Sequence, residues 1–545
     1  MLLVVLVLVL LLTFGVYGFT ERMLGESAAA TAHAAAAQAR ASADSGVMLA
    51  VAVVDAGSLD PANPPAVYHE PGVFRGGLVR DSAAPGGRGL FTVFAPVEND
   101  PTGSLLRFGL IDESGKLDVN GLLNITLRGQ PLDEVEQRNL LLGLPGMTEE
   151  VADAILDYVD GDADPREFGA EADAYAALTP PRLPRDGPLN GVDELLLVAG
   201  VTPQLLYGED ANRNGLLDPA ENDGAATLPY DDADGVLDLG WTEYLTVYGG
   251  EPNLRGDGTE KIDLNDGVLT DLYDALLEEF DEETARFVVA YRLAGPVDPE
   301  NSGNTLDPNA PIEEVVDAAE DEPDRSEQEQ IDELAGTLGN LLGGAPEGGV
   351  TRAGMDLSGG AEFDLSSFYD LVDREVTVEI DGTAQTLVSP FTSADLTATL
   401  PSILDRVTTF DAAVIPGRVN VNQARAGALL GLPGMTPELA EAVAANRMIG
   451  ANGAPTPQLW AARQTPFWLV AEGLTDLPTL RRLDPFVTAR GGFFRVRSVG
   501  FAEGGGPAAR VEAVVDGTAY PARVVEMRDL SDLGRGVPRS LLSGN

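Results

Sequence analysis

Cysteine is absent from the 545 residues, and histidine occurs only twice, at His33 and His69. Disulfides, thiol nucleophiles and thiolate metal sites are therefore excluded, and a His-based zinc site or catalytic triad lacks its ligands. Basic residues are scarce as well: 35 Lys plus Arg face 87 Asp plus Glu, for a formal net charge of −52. A surface this negative repels phosphate and anionic headgroups, so generic nucleic-acid or membrane-surface binding is disfavoured and cations and protein partners fit better. No GxxxxGK[ST] phosphate loop occurs. Carboxylates adjacent in sequence carry no catalytic signal in a chain with so many of them, and no small-molecule substrate is expected. The chain reads as a non-enzyme. What is present is apolar sequence enough for folded protein, 44%, and length for roughly three to four units.

Charge is missing altogether from Leu2 to Phe19. As a helix that run spans about 27 Å, close to the hydrocarbon thickness of a bilayer. The Ala-rich segment after it favours helix to roughly Val51. A single rod is expected, its residues 2–19 crossing a membrane once. A cleaved secretory signal is the rival reading, since AxA patterns recur in the Ala-rich stretch, but no basic residues precede the apolar run. A rod with an apolar first half is pilin or pseudopilin architecture, which carries a leader ending in Gly ahead of the apolar run. Gly18-Phe19-Thr20-Glu21 is not that cleavage site, because polar sequence follows it. An in-frame upstream extension encoding a short basic leader is expected.

Strand-like alternation appears at 89–94 and 105–111, and again at FFRVRSVGF (493–501) and ARVEAVVDG (509–517). Between these β-like ends lies sequence dominated by helix and loop. An internal repeat marks it: GKLDVN (115–120), EKIDLN (260–265) and GRVNVN (417–422). Two copies are followed by a second shared block, LLLGLPGMTEEVADAILDYV (140–159) and LLGLPGMTPELAEAVAANR (429–447). Each block predicts a helical hairpin of the helix-hairpin-helix pattern, with Gly146 and Gly434 leaving the first helix and Thr148 and Thr436 capping the second. Val151, Ala154, Ile155 and Tyr158, and Leu439, Ala442, Val443 and Asn446, fall on one helical face. The turn LPGMT lacks the second glycine of a DNA-binding hairpin and is crowded by Glu149, Glu150, Asp153 and Glu438. A packing role is expected, and no nucleic acid.

The sharpest chemistry lies in two acidic loops. Asp210, Asn212, Asn214, the Leu216 carbonyl, Asp218 and Glu221 occupy positions 1, 3, 5, 7, 9 and 12 of the calcium-loop template, with Gly215 at position 6. That spacing wraps hard oxygens around one point, and calcium is the expected cofactor. A second loop, Asp160, Asp162, Asp164 and Glu171, keeps positions 1, 3, 5 and 12 but has Pro165 in place of the glycine. Asp232, Asp234, Gly235 and Asp238 read as an ordinary turn.

Taken in order, the anchor and rod, IDESGKLDVN (111–120), LPGMTEEVADAILDYVDGDADPREFGAEADAY (144–175), GPLNGVDELLLVAGVT (187–202) and GRVNVNQARAGALLGLPGMT (417–436) resemble the general secretion pathway protein K family, the large minor pseudopilins of type II secretion. The resemblance implies an α+β fold: a long pilin-like helix packed on an antiparallel β-sheet, with a large inserted α-helical domain containing the hairpin modules. The expected divisions are 1–54 (anchor and long helix), 55–130 (first β region), 131–310 (first hairpin domain with the acidic loops), 311–410 (acidic, Gly-rich insertion and linker), 411–484 (second hairpin module) and 485–545 (C-terminal strands). It further implies a place at the pseudopilus tip with the I and J components and the major pseudopilin, a part in initiating assembly, and calcium in acidic loops like that at Asp160 to Glu171. The acidic stretch at 311–360 lies outside the resemblance. Two other functions remain open: a membrane-anchored DNA-binding or uptake protein using the hairpins, and a calcium-dependent surface or adhesion protein.

Overall fold

The computed structural model describes residues 1–57, 67–84, 86–97, 100, 103–127, 130–297, 350–447 and 456–542. Helix α1 runs unbroken over Leu2–Gly57. No proline interrupts it, and alanine dominates its second half. Its buried side chains begin only at Ala39 and continue through Ala43, Val47, Ala50 and Val54. Steps of three and four residues place them in one stripe along the helix. The apolar residues from Leu2 to Leu24 all face outward.

The stripe lies on an antiparallel sheet. Strands β1 (Gly77–Arg80), β2 (Gly89–Pro96), β3 (Leu106–Arg107) and β4 (Ile111–Asp112) come before the insertion, and β5 (Phe493–Ala502), β6 (Ala509–Asp516) and β7 (Arg523–Asp529) after it. Their order is β1-β2-β5-β6-β7, with β3 beside β2 and β4 beside β5. Alternation sorts the strands. Phe91, Val93, Val496, Val511 and Ala513 face α1, while Leu90, Phe94, Val499 and Phe501 form a second cluster with Leu216, Val537 and Leu542 on the far face. That far face also carries Arg495, Arg497, Arg510 and Glu512, all buried. It is the face on which the inserted domain sits.

The insertion is built from one small device used three times. Each repeat motif pairs in parallel, over two residues, with a segment bearing threonine: Leu117–Asp118 with Leu245–Thr246, Ile262–Asp263 with Val407–Thr408, and Val419–Asn420 with Val487–Thr488. The last asparagine of each motif then ties down two carbonyls through its Nδ2. Asn120 donates to Leu189 and Val247 (2.9 and 3.3 Å), Asn265 to Leu365 and Thr409 (2.9 and 3.1 Å), and Asn422 to Arg463 and Ala489 (2.8 and 3.1 Å). Asn422 is buried and the other two half-buried, and each closes its unit by satisfying backbone carbonyls.

Helix pairs lie within the units. In the first, α2 (Glu134–Leu142) and α3 (Glu149–Val159) flank an LPGMT turn in which Gly146 has φ +67°. The Thr148 hydroxyl accepts from the Val151 amide at 3.4 Å, and Val151, Ala154, Ile155 and Tyr158 are buried together. In the second, α4 (Leu269–Glu279) and α5 (Glu282–Ala294) meet across a two-residue turn capped by Asp281, without an LPGMT sequence. In the third, α6 is a single turn (Ala426–Leu429) before α7 (Pro437–Ala445). There the buried face is Leu439, Ala440 and Val443, while Ala442 is half-buried and Asn446 exposed beyond the helix end. Residues 350–410, expected as insertion and linker, close the second unit: Met355, Leu365, Phe368 and Leu400 join the same apolar cluster as α2 and α3. The acidic sequence from 311 to 349 lies outside the described residues.

Candidate functional site

Where the insertion meets the far face of the sheet, charge is buried and paired. The Glu113 carboxylate receives Arg495 Nε and Nη2 at 2.8 and 2.9 Å and Lys116 Nζ at 2.9 Å. Glu512 receives Arg495 Nη1 at 2.7 Å and Arg497 Nε at 3.0 Å, and Arg497 reaches on to Glu243 at 3.3 Å. Burial alone would raise the two carboxyls, but the guanidinium groups, with Lys116 at Glu113, outweigh it and hold both well below the usual carboxylate range. The sequence reading missed this cluster. Its signal was present in FFRVRSVGF and ARVEAVVD, where arginines alternate with apolar residues on strands that the alternation already marked as buried on one face.

The loop from Asp210 to Glu221 is docked beside it. Asp210 Oδ1 and Oδ2 accept the amides of Asn214 (3.0 Å) and Gly215 (2.8 Å), and Gly215 has φ +74°, the turn that position 6 requires. Glu221 accepts the amides of Asn212 (3.3 Å) and Asp218 (3.0 Å). Asp218 Oδ2 takes the side-chain amides of Asn212 (2.6 Å) and Asn214 (2.8 Å), while Asn212 Oδ1 is buried with no partner. Burial pushes Glu221 up to about 7, and it pushes Asp210 upward against the pull of Arg497. The loop is bolted to the sheet: Arg510 Nη1 donates to the Asn212 carbonyl at 2.7 Å, Arg497 to that of Asn214 at 3.3 Å, and the Leu216 side chain enters the far-face cluster. The donors are oxygens, the chemistry a hard cation takes, but the loop carboxylates are occupied by amides and do not meet at one point. Asn212 supplies an orphaned oxygen, and two crowded carboxyls would be relieved by positive charge.

The second loop is arranged differently. Arg166 bonds both Asp157 (2.8 Å) and Asp160, and Asp162 and Asp164 are exposed, with Asp162 spent on the Asp164 amide at 3.0 Å. A guanidinium thus stands where position 1 would meet an ion. Glu171 Oε1 is buried without a partner, and burial raises that carboxyl. Among the described residues no group of three or more His, Cys, Asp or Glu side chains converges on a common point. Around the LPGMT turn the acids are engaged or exposed: Asp153 takes Arg138 through two bonds of 2.8 and 2.7 Å, and Glu149 and Glu150 face solvent.

The remaining feature is α1. It is long and apolar enough to cross a membrane, and none of its most apolar stretch is buried.

Residues 115–207 match the first domain of the type II secretion system protein K family. No curated protein matches the chain. Among solved structures, the chain is similar to one from the GspK-GspI-GspJ complex of the type 2 secretion system of enterotoxigenic Escherichia coli, at 11% identity and a TM-score of 0.32, over 93% of this chain and 99% of that one.

Proposed function

We propose that this chain is a non-enzymatic minor pseudopilin that caps the pseudopilus tip of a type II secretion system and helps initiate its assembly. Residues 2–19 anchor it once in the inner membrane, and the remainder stands in the periplasm. The observation that carries this reading is the division of α1: its buried stripe starts at Ala39, while Leu2 to Leu24 are exposed on every side. An apolar rod of that kind needs lipid first and neighbouring helices afterwards. The matched domain supports the family, and the family resemblance supplies the partners, the I and J minor pseudopilins, with the major pseudopilin below them.

Tip placement follows from bulk. The insertion, between Glu113 and Phe493, covers the sheet face opposite α1, and a subunit stacked above would have to share that space. The test is co-expression of residues 27–545 with the periplasmic parts of the I and J partners. A stable ternary complex is expected on size-exclusion chromatography, and failure to associate with all three chains folded would refute the reading.

Calcium at Asp210, Asn212, Asn214, Leu216, Asp218 and Glu221 is the second element of the proposal, supported by the orphaned Asn212 oxygen and the raised Glu221 carboxyl. Bound there, a cation would lock the insertion to the sheet through Arg497 and Arg510. The loop at Asp160 to Glu171 has weaker support, because Arg166 already neutralises Asp160.

A further inference from the structure

The three units place a cation at the same point, and only two of those cations are neutralised. Lys116, Lys261 and Arg418 hold the same position in GKLDVN, EKIDLN and GRVNVN. Lys116 Nζ donates to Glu113 and to the Thr242 carbonyl, both at 2.9 Å. Arg418 donates to Glu251 at 3.1 Å and to Asp484, at 2.8 Å to its carbonyl and 3.3 Å to its carboxylate. Lys261 makes no hydrogen bond or ion pair among the described residues.

Lys261 instead lines a cavity of about 70 Å³ between the second and third units, with Arg490, Arg418, Asn253, Glu251 and Asp484. That volume is several times the ~10–15 Å³ one water requires. The Arg490 guanidinium likewise has no bonded partner among the described residues. Arg418 Nε, a donor, is buried and unpartnered here; Asn253 Oδ1 is unpartnered as well but, being an acceptor, takes no part in holding an anion. Asn253 is 7% exposed, and its orientation is fixed because Nδ2 donates to the carbonyls of Phe410 and Ala412, both at 2.8 Å. The lining holds three cations against two carboxylates, both already bonded to Arg418. Asp405, the other acid near Lys261, is occupied by the Gly256 amide at 3.0 Å. One positive charge is left over, in a chain of net charge −52.

We propose that this cavity binds one small monovalent oxyanion, a carboxylate in the first instance, held between Lys261 and Arg490 with Arg418 Nε as a third donor. The anion fills the role that Glu113 plays for Lys116 in the first unit. Burial, opposed by Glu251 and reinforced by Arg490 and Arg418, pushes the Lys261 ammonium down to about 8, and a bound anion reverses that displacement.

The chain contains only two lysines, Lys116 and Lys261, so lysine labelled at Nζ reports the site directly. The full chain in detergent micelles is titrated with acetate and, separately, with inorganic phosphate, chloride holding the ionic strength constant. Saturable movement of the Lys261 signal, and not of Lys116, is expected. Lys261→Gln and Arg490→Gln should each weaken binding measured by calorimetry about tenfold or more, the usual weight of a charged hydrogen bond. Lys261→Arg, which keeps the charge, should retain binding. Phosphate acting in place of acetate, with the same dependence on Lys261, supports the site and names phosphate as the source of the oxyanion. No saturable response to either anion, or binding unchanged in both Gln variants, overturns the proposal.

Discussion

Arg495 on β5 grips Glu113, the first residue of the insertion, through two parallel hydrogen bonds of 2.8 and 2.9 Å. The fork-to-carboxylate geometry joins the last part of the chain to the point where the sheet is interrupted, 382 residues earlier. Both side chains are buried, so the pair fixes how the insertion sits on the sheet. Arg495→Met should lower stability by about 3–5 kcal/mol, because it strands two buried carboxylates, Glu113 and Glu512, with fewer partners. Chemical denaturation at pH 7 measures this. Because both carboxyls are held low in the folded chain, their stabilising contribution is present above the unfolded carboxylate value of ~4.3 and lost as pH falls below it.

Glu221 shows the opposite sign. Its carboxyl stands at about 7 in the folded chain, so without a cation its contribution declines as pH rises from ~4.3 towards 7. Calcium should restore that stability and release close to one proton per ion near pH 6, read by calorimetry in buffers of different ionisation enthalpy. At a free concentration about 100-fold above the dissociation constant the gain is roughly 2.7 kcal/mol. Glu221→Ala should abolish most of it. A melting temperature indifferent to chelation would remove calcium from the account and leave the pseudopilin reading in place.

Close approach of α1 to the sheet depends on Gly500, where an added Cβ would stand 1.9 Å from the Ala39 carbonyl oxygen. Neither backbone can yield without lifting the helix. Gly500→Ala should cost about 1–3 kcal/mol as an overpacked contact. Gly161→Ala, where a Cβ meets nothing within 4 Å, should stay within about 0.5 kcal/mol. Thermal denaturation of the two variants side by side checks the contrast.

Each unit of the insertion should answer separately to loss of its asparagine. Asn265→Ala leaves the Leu365 and Thr409 carbonyls without their donor, at a cost of about 1–3 kcal/mol. Hydrogen exchange should accelerate over 262–297 and 350–410 and remain slow at α2 and α3. Uniform acceleration across all three units would show that they are not separable.

Much of this architecture could be read from the residues. Absence of charge between Leu2 and Phe19 marked the exposed apolar half of α1, and alternation in FFRVRSVGF and ARVEAVVDG located the strands that α1 covers. The three motifs were visible as repeats, yet the second unit was not, because α4 and α5 meet at Phe280–Asp281 without the LPGMT sequence that marks the other two pairs. Its closing segment at Val407–Thr408 follows acidic, Gly-rich sequence whose composition resembles a linker. Composition reports neighbours in sequence, and this pairing spans 145 positions from Ile262 to Val407. The tight turn at Gly215 in the first acidic loop was legible because the spacing that calls for it is local. In the second loop the template counts carboxylates at fixed offsets and does not register Arg166, which lies among them and pairs with Asp160.

A chain that caps the pseudopilus stands at one end of it. Gold labelling of an epitope inserted at the exposed 161–163 turn, on pseudopili assembled with all components, measures that position directly. One label cluster at a single end of each filament is the predicted result. Labels distributed along the filament, or filaments of normal number and length when the chain is deleted, would contradict the account.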